Sequence, residues 1–425
     1  MSRFFPSIRV RWWIFAYMGG FAMLAYIQRT SVAVAAKDIM PTLHISIMQI
    51  GWLNAAFTTA YAACQLPGGA LGQRFGARIV FTALGIVGLL ATLATPLFPV
   101  VLTGSALFVA LLLTQVVLGA SQGPVFPVFA AVAERWFPSR QFALVNGLVA
   151  SGMLLGGAIT PLLLVVLTQK YGWQGALLWT ALPALVLTAA WAWYGRNAPS
   201  EHTSVMPAEL AELDTAPAAP PLTFERMWAV VRNRDILLLS LSYLCMNYVF
   251  YMISFWSFLY LVQERHFSGI ESGLLGMVPW IGAALGAGIG GLLADGFALR
   301  LGPTAGYRLL PLITLPIGAV MLFVTPQLAS PYLAVGALAM AFFAMEVNEG
   351  PYWAATMSVA RADTGAATGV LNTGGNIGGI LCQPVVAALS AVGAWTGAWV
   401  SGAVFALLAA VLWLFVNVER RRTPP

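Results

Sequence analysis

Three ionisable side chains sit among almost wholly apolar neighbours: Arg29, Glu346 and Glu349. A guanidinium is a planar fork of donors that grips a carboxylate with two hydrogen bonds and stays charged at every relevant pH. Arg29 therefore reads as a contact for an organic anion. The structural alternative is a pairing with a glutamate, or snorkelling to a surface. At roughly 100° per residue, positions 346, 349 and 353 share one broad helical face, so both carboxylates can lie beside Trp353. Carboxylates in a low-dielectric setting suit proton uptake and release; the plainer alternative is that one of them neutralises Arg29 or faces the turn near Pro331. Asn372 and Asn376 stand one helical turn apart. Unpaired amides are costly in lipid, so both are expected to face a cavity or another helix. Among the aromatics, Tyr251 and Trp353 are taken as binding residues. Tyr26, Tyr61, Tyr248 and Trp256 could line a cavity too, but such residues are more often packing or interfacial anchors.

The elements that must position these groups follow from composition. The 425 residues are 60% hydrophobic and 8% charged, whereas a soluble domain carries roughly a quarter charged residues. So few charges cannot cover a globule of this size, which makes lipid the solvent. Runs of roughly 20 apolar residues, the length needed to cross a bilayer, fall at 12–36, 48–72, 79–98, 104–132, 142–168, 174–194, 236–262, 272–295, 307–326, 332–359, 365–391 and 396–417. Two long runs are divided at Pro96–Pro99 and Pro326–Pro331, where turn chemistry is strong. The first run follows Arg9 and Arg11 and exceeds signal-peptide length, so it is read as the first membrane helix.

Charge gives the orientation. With both termini cytoplasmic, 17 of the 21 basic residues lie inside; Lys37, Lys170 and Arg265 lie outside, and Arg29 lies within a span. That is the positive-inside pattern. It accounts for the net charge of +6 without nucleic acid as a partner. The expected partner surface is the bilayer of a bacterial inner membrane. Cys64, Cys245 and Cys382 have no metal or disulfide spacing, and His44, His202 and His266 fall in loops. No nucleophile–base set, metal cluster or phosphate loop is present, so neither an enzyme nor a metal or cofactor site is expected.

The stretch 195–235 is proline-rich and lacks apolar periodicity. It reads as a cytoplasmic linker with one short surface helix near Phe224–Val231, dividing a six-span bundle at 1–194 from another at 236–425. The halves repeat. An offset of 222 places Gly68-Gly69 on Gly290-Gly291, Gln73 on Asp295, and Gly147, Gly152, Gly156 and Gly157 on Gly369, Gly374, Gly378 and Gly379. Parallel six-helix repeats are an architecture of alternating-access carriers.

Particular motifs narrow the reading. Gly69-Ala-Leu-Gly-Gln-Arg-Phe-Gly-Ala-Arg78 resembles the major facilitator superfamily signature between helices 2 and 3, in which Gln73, Arg74, Gly76 and Arg78 belong to a gating loop, with Asp295 at the matching place in the second half. Tyr26-Ile-Gln-Arg29, Ala60–Gly69, Gly119–Pro127 with Trp136-Phe-Pro138, Gly350-Pro-Tyr-Trp353 and Asn372–Gly379 resemble, more narrowly, the anion:cation symporter family, which includes sugar-acid and aromatic-acid carriers. The resemblance implies an all-α fold of twelve transmembrane helices in two bundles, around a cavity lined by the first, fourth, seventh and tenth. It implies substrate contact for Arg29 and Asn372, and a monomer that carries a small organic anion.

The departures from that family concern coupling. Gln28 stands where an aspartate is usual, Gln122 where a glutamate is usual, Gln115 where an arginine is usual, and Gln73 where an aspartate is usual. Two of these are the family's acidic proton sites, and glutamine cannot carry a proton. Aligning Gln122-Gly123-Pro124 with Glu349-Gly350-Pro351 (offset 227) places Glu349 opposite the missing glutamate. The expected coupling ion is a proton, or another cation, handled by Glu349 or Glu346. The rival readings are an uncoupled facilitator or exchanger, and a non-transporting sensor on a carrier fold.

Overall fold

In hydrocarbon, backbone N–H and C=O groups have no water to bond, so a crossing segment must satisfy them internally as a helix. The computed structural model describes residues 9–138, 142–213, 224–360 and 363–419, and these follow that rule. The helices are α1 (Val10–Leu43), α2 (Ile47–Phe75), α3 (Ala77–Val101), α4 (Gly104–Gln122), α5 (Val125–Trp136), α6 (Phe142–Tyr194), α7 (Pro207–Ala211), α8 (Phe224–Val231), α9 (Arg234–Gln263), α10 (Gly269–Leu301), α11 (Pro303–Val324), α12 (Pro331–Glu346), α13 (Glu349–Ala360), α14 (Thr364–Ala391) and α15 (Trp395–Trp413).

Twelve spans emerge from these elements. Among the described residues, ten stretches are long and apolar enough to cross a membrane. One of them lies within α6, which changes direction at Gly172 (φ 71°, ψ 170°) and so comprises two spans. The less apolar α2, 29 residues long, supplies the twelfth. The fourth span is α4 plus α5 and the tenth is α12 plus α13. Large apolar side chains point outward, with Leu292 79% and Leu299 89% exposed, which suits lipid as solvent. The expected boundary at Pro96–Pro99 lies too early, because α3 runs through both prolines to Val101. Proline is tolerated in membrane helices where neighbours satisfy the freed carbonyls.

Packing divides the chain into two compact units. One comprises residues 1–32, 60–160 and 167–219; the other comprises 33–59, 161–166 and 220–425. The second unit thus takes in the loop end of the α1–α2 hairpin and a short piece of α6. There, a Cβ on Gly51 would lie 2.4 Å from the Ala387 Cβ and 3.1 Å from the Gln383 carbonyl oxygen, and one on Gly273 would lie 2.9 Å from the Leu162 Cα.

The internal repeat is visible in these close approaches. In the first unit, Cβ atoms on Gly152 and Gly156 would meet the carbonyls of Gly19 (2.9 Å) and Met23 (2.2 Å). In the second, Cβ atoms on Gly374 and Gly378 would meet the carbonyls of Ser240 (2.5 Å) and Leu244 (2.0 Å). The first half of α6 therefore lies on α1 as α14 lies on α9, backbone against backbone. Small residues permit that approach.

The stretch read as a linker is more ordered than expected. Residues 197–213 dock on the first unit. Arg11 and Glu209, 1% and 4% exposed, form an ion pair at 3.0 Å, and the same Glu209 oxygen accepts the Arg11 backbone N–H at 3.1 Å. Glu212 joins through Arg11 and Arg9, and the Arg9 hydrogen bond holds its carboxyl below the usual carboxylate range. His202 packs edge-on against Tyr194 and Trp136, and burial lowers its pKa. At the far end, α8 occupies the expected residues and joins the second unit, where Val230 packs with Ile236, Ala360, Ala366 and Ala367 and Arg226 pairs with Asp363 at 2.8 Å. Asn233 caps α9 by accepting the Asp235 and Ile236 N–H groups.

Two measurements follow. Removing one member of a buried pair strands the other charge, which costs about 3–5 kcal/mol, whereas apolar replacement of both is close to neutral. Arg11→Ala and Glu209→Ala should each lower the unfolding midpoint of the detergent-solubilised protein strongly, and Arg11→Met with Glu209→Leu should recover most of the loss. Equal losses in single and double variants would refute the buried-pair account. At Gly378, Ala must push a backbone carbonyl away, costing about 1–3 kcal/mol, while Gly288 has open space around it and Ala there should stabilise by up to about 1 kcal/mol. Thermal unfolding of Gly378→Ala and Gly288→Ala should move in opposite directions.

Candidate functional site

Each unit contains one cluster built from the residues singled out above. In the first unit, α1 carries Gln28 and Arg29 on adjacent positions, so they point about 100° apart. Arg29 is 5% exposed. Its guanidinium carbon lies 4.7 Å from the ring centroid of Tyr26 and 4.3 Å from that of Tyr61. Two aromatic faces stabilise a cation and, lacking carboxylates, do not neutralise its charge. Tyr26 is one turn before Arg29 and Tyr61 lies on α2.

Gln28 and Gln122 meet directly, with the Gln122 Nε2 donating to the Gln28 Oε1 at 3.3 Å. Both are buried. They line a narrow cleft inside the first unit with Ser121, Thr188 and the apolar side chains of Phe21, Leu24, Phe81 and Val125. Gln28 and Gln122 are therefore brought together here as a neutral amide pair. Gln115 is also buried, on α4.

In the second unit, Glu349 opens α13. One of its oxygens, Oε1, accepts two hydrogen bonds, from the Tyr243 hydroxyl at 2.8 Å and from the Trp353 Nε1 at 2.7 Å. Trp353 reaches it because the two are one helical turn apart. Tyr243 comes from α9 and was not singled out by the sequence; nothing local marks a tyrosine whose partner is 106 residues away. Glu346 is 5% exposed on the last turn of α12. Asn376 on α14 accepts from the Tyr251 hydroxyl at 3.2 Å, so the candidate pair Tyr251 and Asn376 lies together. Asn372, one turn earlier, is half-buried. Close approach of α14 makes this arrangement: Cβ atoms on Gly375 and Gly379 would fall within 2.7 Å and 2.6 Å of the Tyr243 and Tyr251 rings.

The helix interruptions revise one register. The fourth span breaks at Gly123–Pro124 and the tenth at Val347–Asn348. Four residues past each break onset stands a proline, Pro127 and Pro351, with no N–H to offer the carbonyl of Gly123 or Val347. This alignment, an offset of 224, matches Gln122 with Glu346, each the last residue of its helix, and not with Glu349.

The loop motif is clasped locally. Gly76 has φ +80°, which favours glycine, and a Cβ there would strike the Asn197 amide at 2.4 Å. The Asn197 Oδ1 accepts the Arg78 N–H at 2.9 Å, and the Arg78 guanidinium donates to the Ala192 carbonyl at 2.7 Å and 3.1 Å. Arg78 thus caps the end of α6, the use expected of a cation at a helix C-terminus. Arg74 is exposed beside the Phe75 ring. Gly69 lies within α2, while the side chains of Gln73 and Asp295 lie outside the described residues.

Comparison with known proteins joins these observations. Residues 18–382 match the Major Facilitator Superfamily model. The chain is 29% identical to the "Probable sulfoacetate transporter SauU" of Cupriavidus necator, over 89% of this chain and 87% of that protein. It is 26% identical to the "Hexuronate transporter" of Bacillus subtilis, over 94% and 93%, and 23% identical to the "Probable galactarate/D-glucarate transporter GudP" of Escherichia coli, over 97% and 94%. Its fold is similar to a bacterial homologue of the human lysosomal transporter Spinster, with a TM-score of 0.78 at 16% identity, covering 99% of this chain and 100% of that one. With twelve helical spans, a repeat carried by matched glycine contacts and a family match over most of its length, the chain belongs to the Major Facilitator Superfamily.

Proposed function

We propose that the protein is a secondary carrier, in a bacterial inner membrane, that moves a small organic monocarboxylate such as a sugar acid or aromatic acid by alternating access, with a proton as the coupling ion. One observation carries the anion reading: Arg29 is buried within a span, its guanidinium stacked on the rings of Tyr26 and Tyr61. A cation held this way keeps its electrostatic pull for an incoming anion. The relatives named for sulfoacetate, hexuronate and galactarate or glucarate transport support an organic anion, and of these solutes hexuronate has a single carboxylate. One arginine favours one carboxylate; within the second unit, Tyr251 with Asn376, and Trp353, are the polar and aromatic candidates for solute contact. The proton reading rests on Glu346 and Glu349, carboxylates set in an otherwise apolar span.

A second reading is favoured by one observation. The Gln28–Gln122 pair is neutral and cannot titrate, which suits a facilitator or exchanger that uses no proton gradient. A two-part experiment separates the readings. Purified protein in liposomes is offered labelled hexuronates, aldonates and aromatic acids, with and without an inward proton gradient. Accumulation that needs the gradient supports coupling, and equilibration that ignores it supports the facilitator.

Arg29 is tested by substitution. Truncating one partner of a buried charge pair costs about 2–5 kcal/mol, so Arg29→Ala should weaken binding of the transported acid at least roughly 30-fold. Arg29→Lys keeps the charge but loses the fork and should fall between. Wild-type affinity in Arg29→Ala would remove the arginine from the substrate site.

A further inference from the structure

The two glutamates of the tenth span are not equivalent. Glu349 is held by two groups that donate to one of its oxygens, the Tyr243 hydroxyl and the Trp353 indole N–H. The indole N–H can only donate, and hydrogen bonds from both donors are stronger when the carboxyl they meet is ionised. Hydrogen bonds made to the charged form favour it. Glu346, three residues earlier, is 5% exposed and, among the described residues, receives no hydrogen bond and makes no ion pair. An anion buried without donors is costly, and the same group carrying a proton is far less so. Two neighbouring carboxylates also resist being ionised together.

We propose that Glu346 is the side chain that takes up and releases the coupling proton, and that Tyr243 and Trp353 are positioning residues that keep Glu349 an anion. This rests on the proton-coupled reading above and divides its acid pair into two roles. The step is a proton transfer alone: the Glu346 carboxylate accepts one proton from water on one side, becomes the neutral acid, and returns that proton to water on the other. No other bond forms or breaks. The groups that act on Glu346 are Glu349 on α13 and Tyr243 on α9. From α10 and α11, the other long helices packed on α12, no described charged group acts on it; Arg308 of α11 is engaged with the Val416 carbonyl. The matched interruptions place Glu346, as the last residue before the break, at the position Gln122 occupies in the first half. The carboxylate absent from the fourth span thus has its counterpart at the same structural position in the tenth.

The role is read directly by infrared difference spectroscopy on the purified full-length protein, with the proton as the only ligand. The wild type should show a protonated-carboxyl C=O band that grows as pH falls. Glu346→Gln should lose it, while Glu346→Asp should keep it at a changed frequency, which guards against a merely misfolded Gln variant. Glu349→Gln should keep the band and move its midpoint toward acid by about 1–3 pH units, because a neighbouring negative charge is gone. Tyr243→Phe should move the midpoint the other way, since the Glu349 charge, no longer shared with that hydroxyl, then acts more strongly on Glu346. A purely structural Tyr243 would lower stability and leave the midpoint in place. Loss of the band in Glu349→Gln with retention in Glu346→Gln overturns the assignment, as does a wild type with no titrating band. Failure of the coupling reading itself has another signature: wild-type liposomes accumulate none of the labelled acids under a proton gradient, whatever the infrared band does.

Discussion

In hydrocarbon the force that buries apolar side chains in water is absent, and helices are held instead by close contact along their backbones. Gly152 and Gly156 against α1, and Gly374 and Gly378 against α9, are such contacts. Much of the rest depends on them. Because α14 can approach α9 at backbone distance, the rings of Tyr243 and Tyr251 lie over Gly375 and Gly379, and their hydroxyls are delivered to Glu349 and Asn376. The glycine seam sets the distance, and the polar contacts follow from it. The same seam in the first unit fixes α1, and hence where Gln28 and Arg29 stand.

The two clusters share a logic and differ in charge. A charge in a span is affordable only with partners, and the partners chosen decide what the charge can still do. Aromatic faces lie against the Arg29 guanidinium. Hydroxyl and indole donors engage the Glu349 carboxyl. An amide partner leaves Gln28 and Gln122 neutral. In a membrane carrier, these choices of neighbour determine the chemistry more than the ionisable residue does.

Much of the architecture is legible in the sequence, because spans are defined by length and hydropathy and the repeat by glycine spacing. The short helix at Phe224–Val231 lies where the sequence places one. The docking of residues 197–213 is not. Arg11 and Glu209 are 198 positions apart, and each looks like an ordinary surface charge until the fold buries both. Tyr243 escapes for the same reason, its meaning residing in a partner on another helix. The pairing of Gln122 with Glu349 rests on a shared Gly-Pro, a local likeness; the helix interruptions instead follow Pro127 and Pro351 and pair Gln122 with Glu346. Where chemistry and motif suggest different registers, the missing backbone proton decides, because it changes which carbonyls are bonded.

Those two prolines have a consequence for how the broken helices can be turned about their own axes. Each removes one N–H, so the Gly123 and Val347 carbonyls lose their usual donor four residues ahead. A bare carbonyl turned toward acyl chains would cost several kcal/mol, which confines that side of the fourth and tenth spans to protein or water. Rotational setting is thereby fixed by an absence: two missing hydrogens act as a keyway, and the residues just before each break, Gln122 and Glu346, inherit an orientation that no side-chain contact of their own has to enforce.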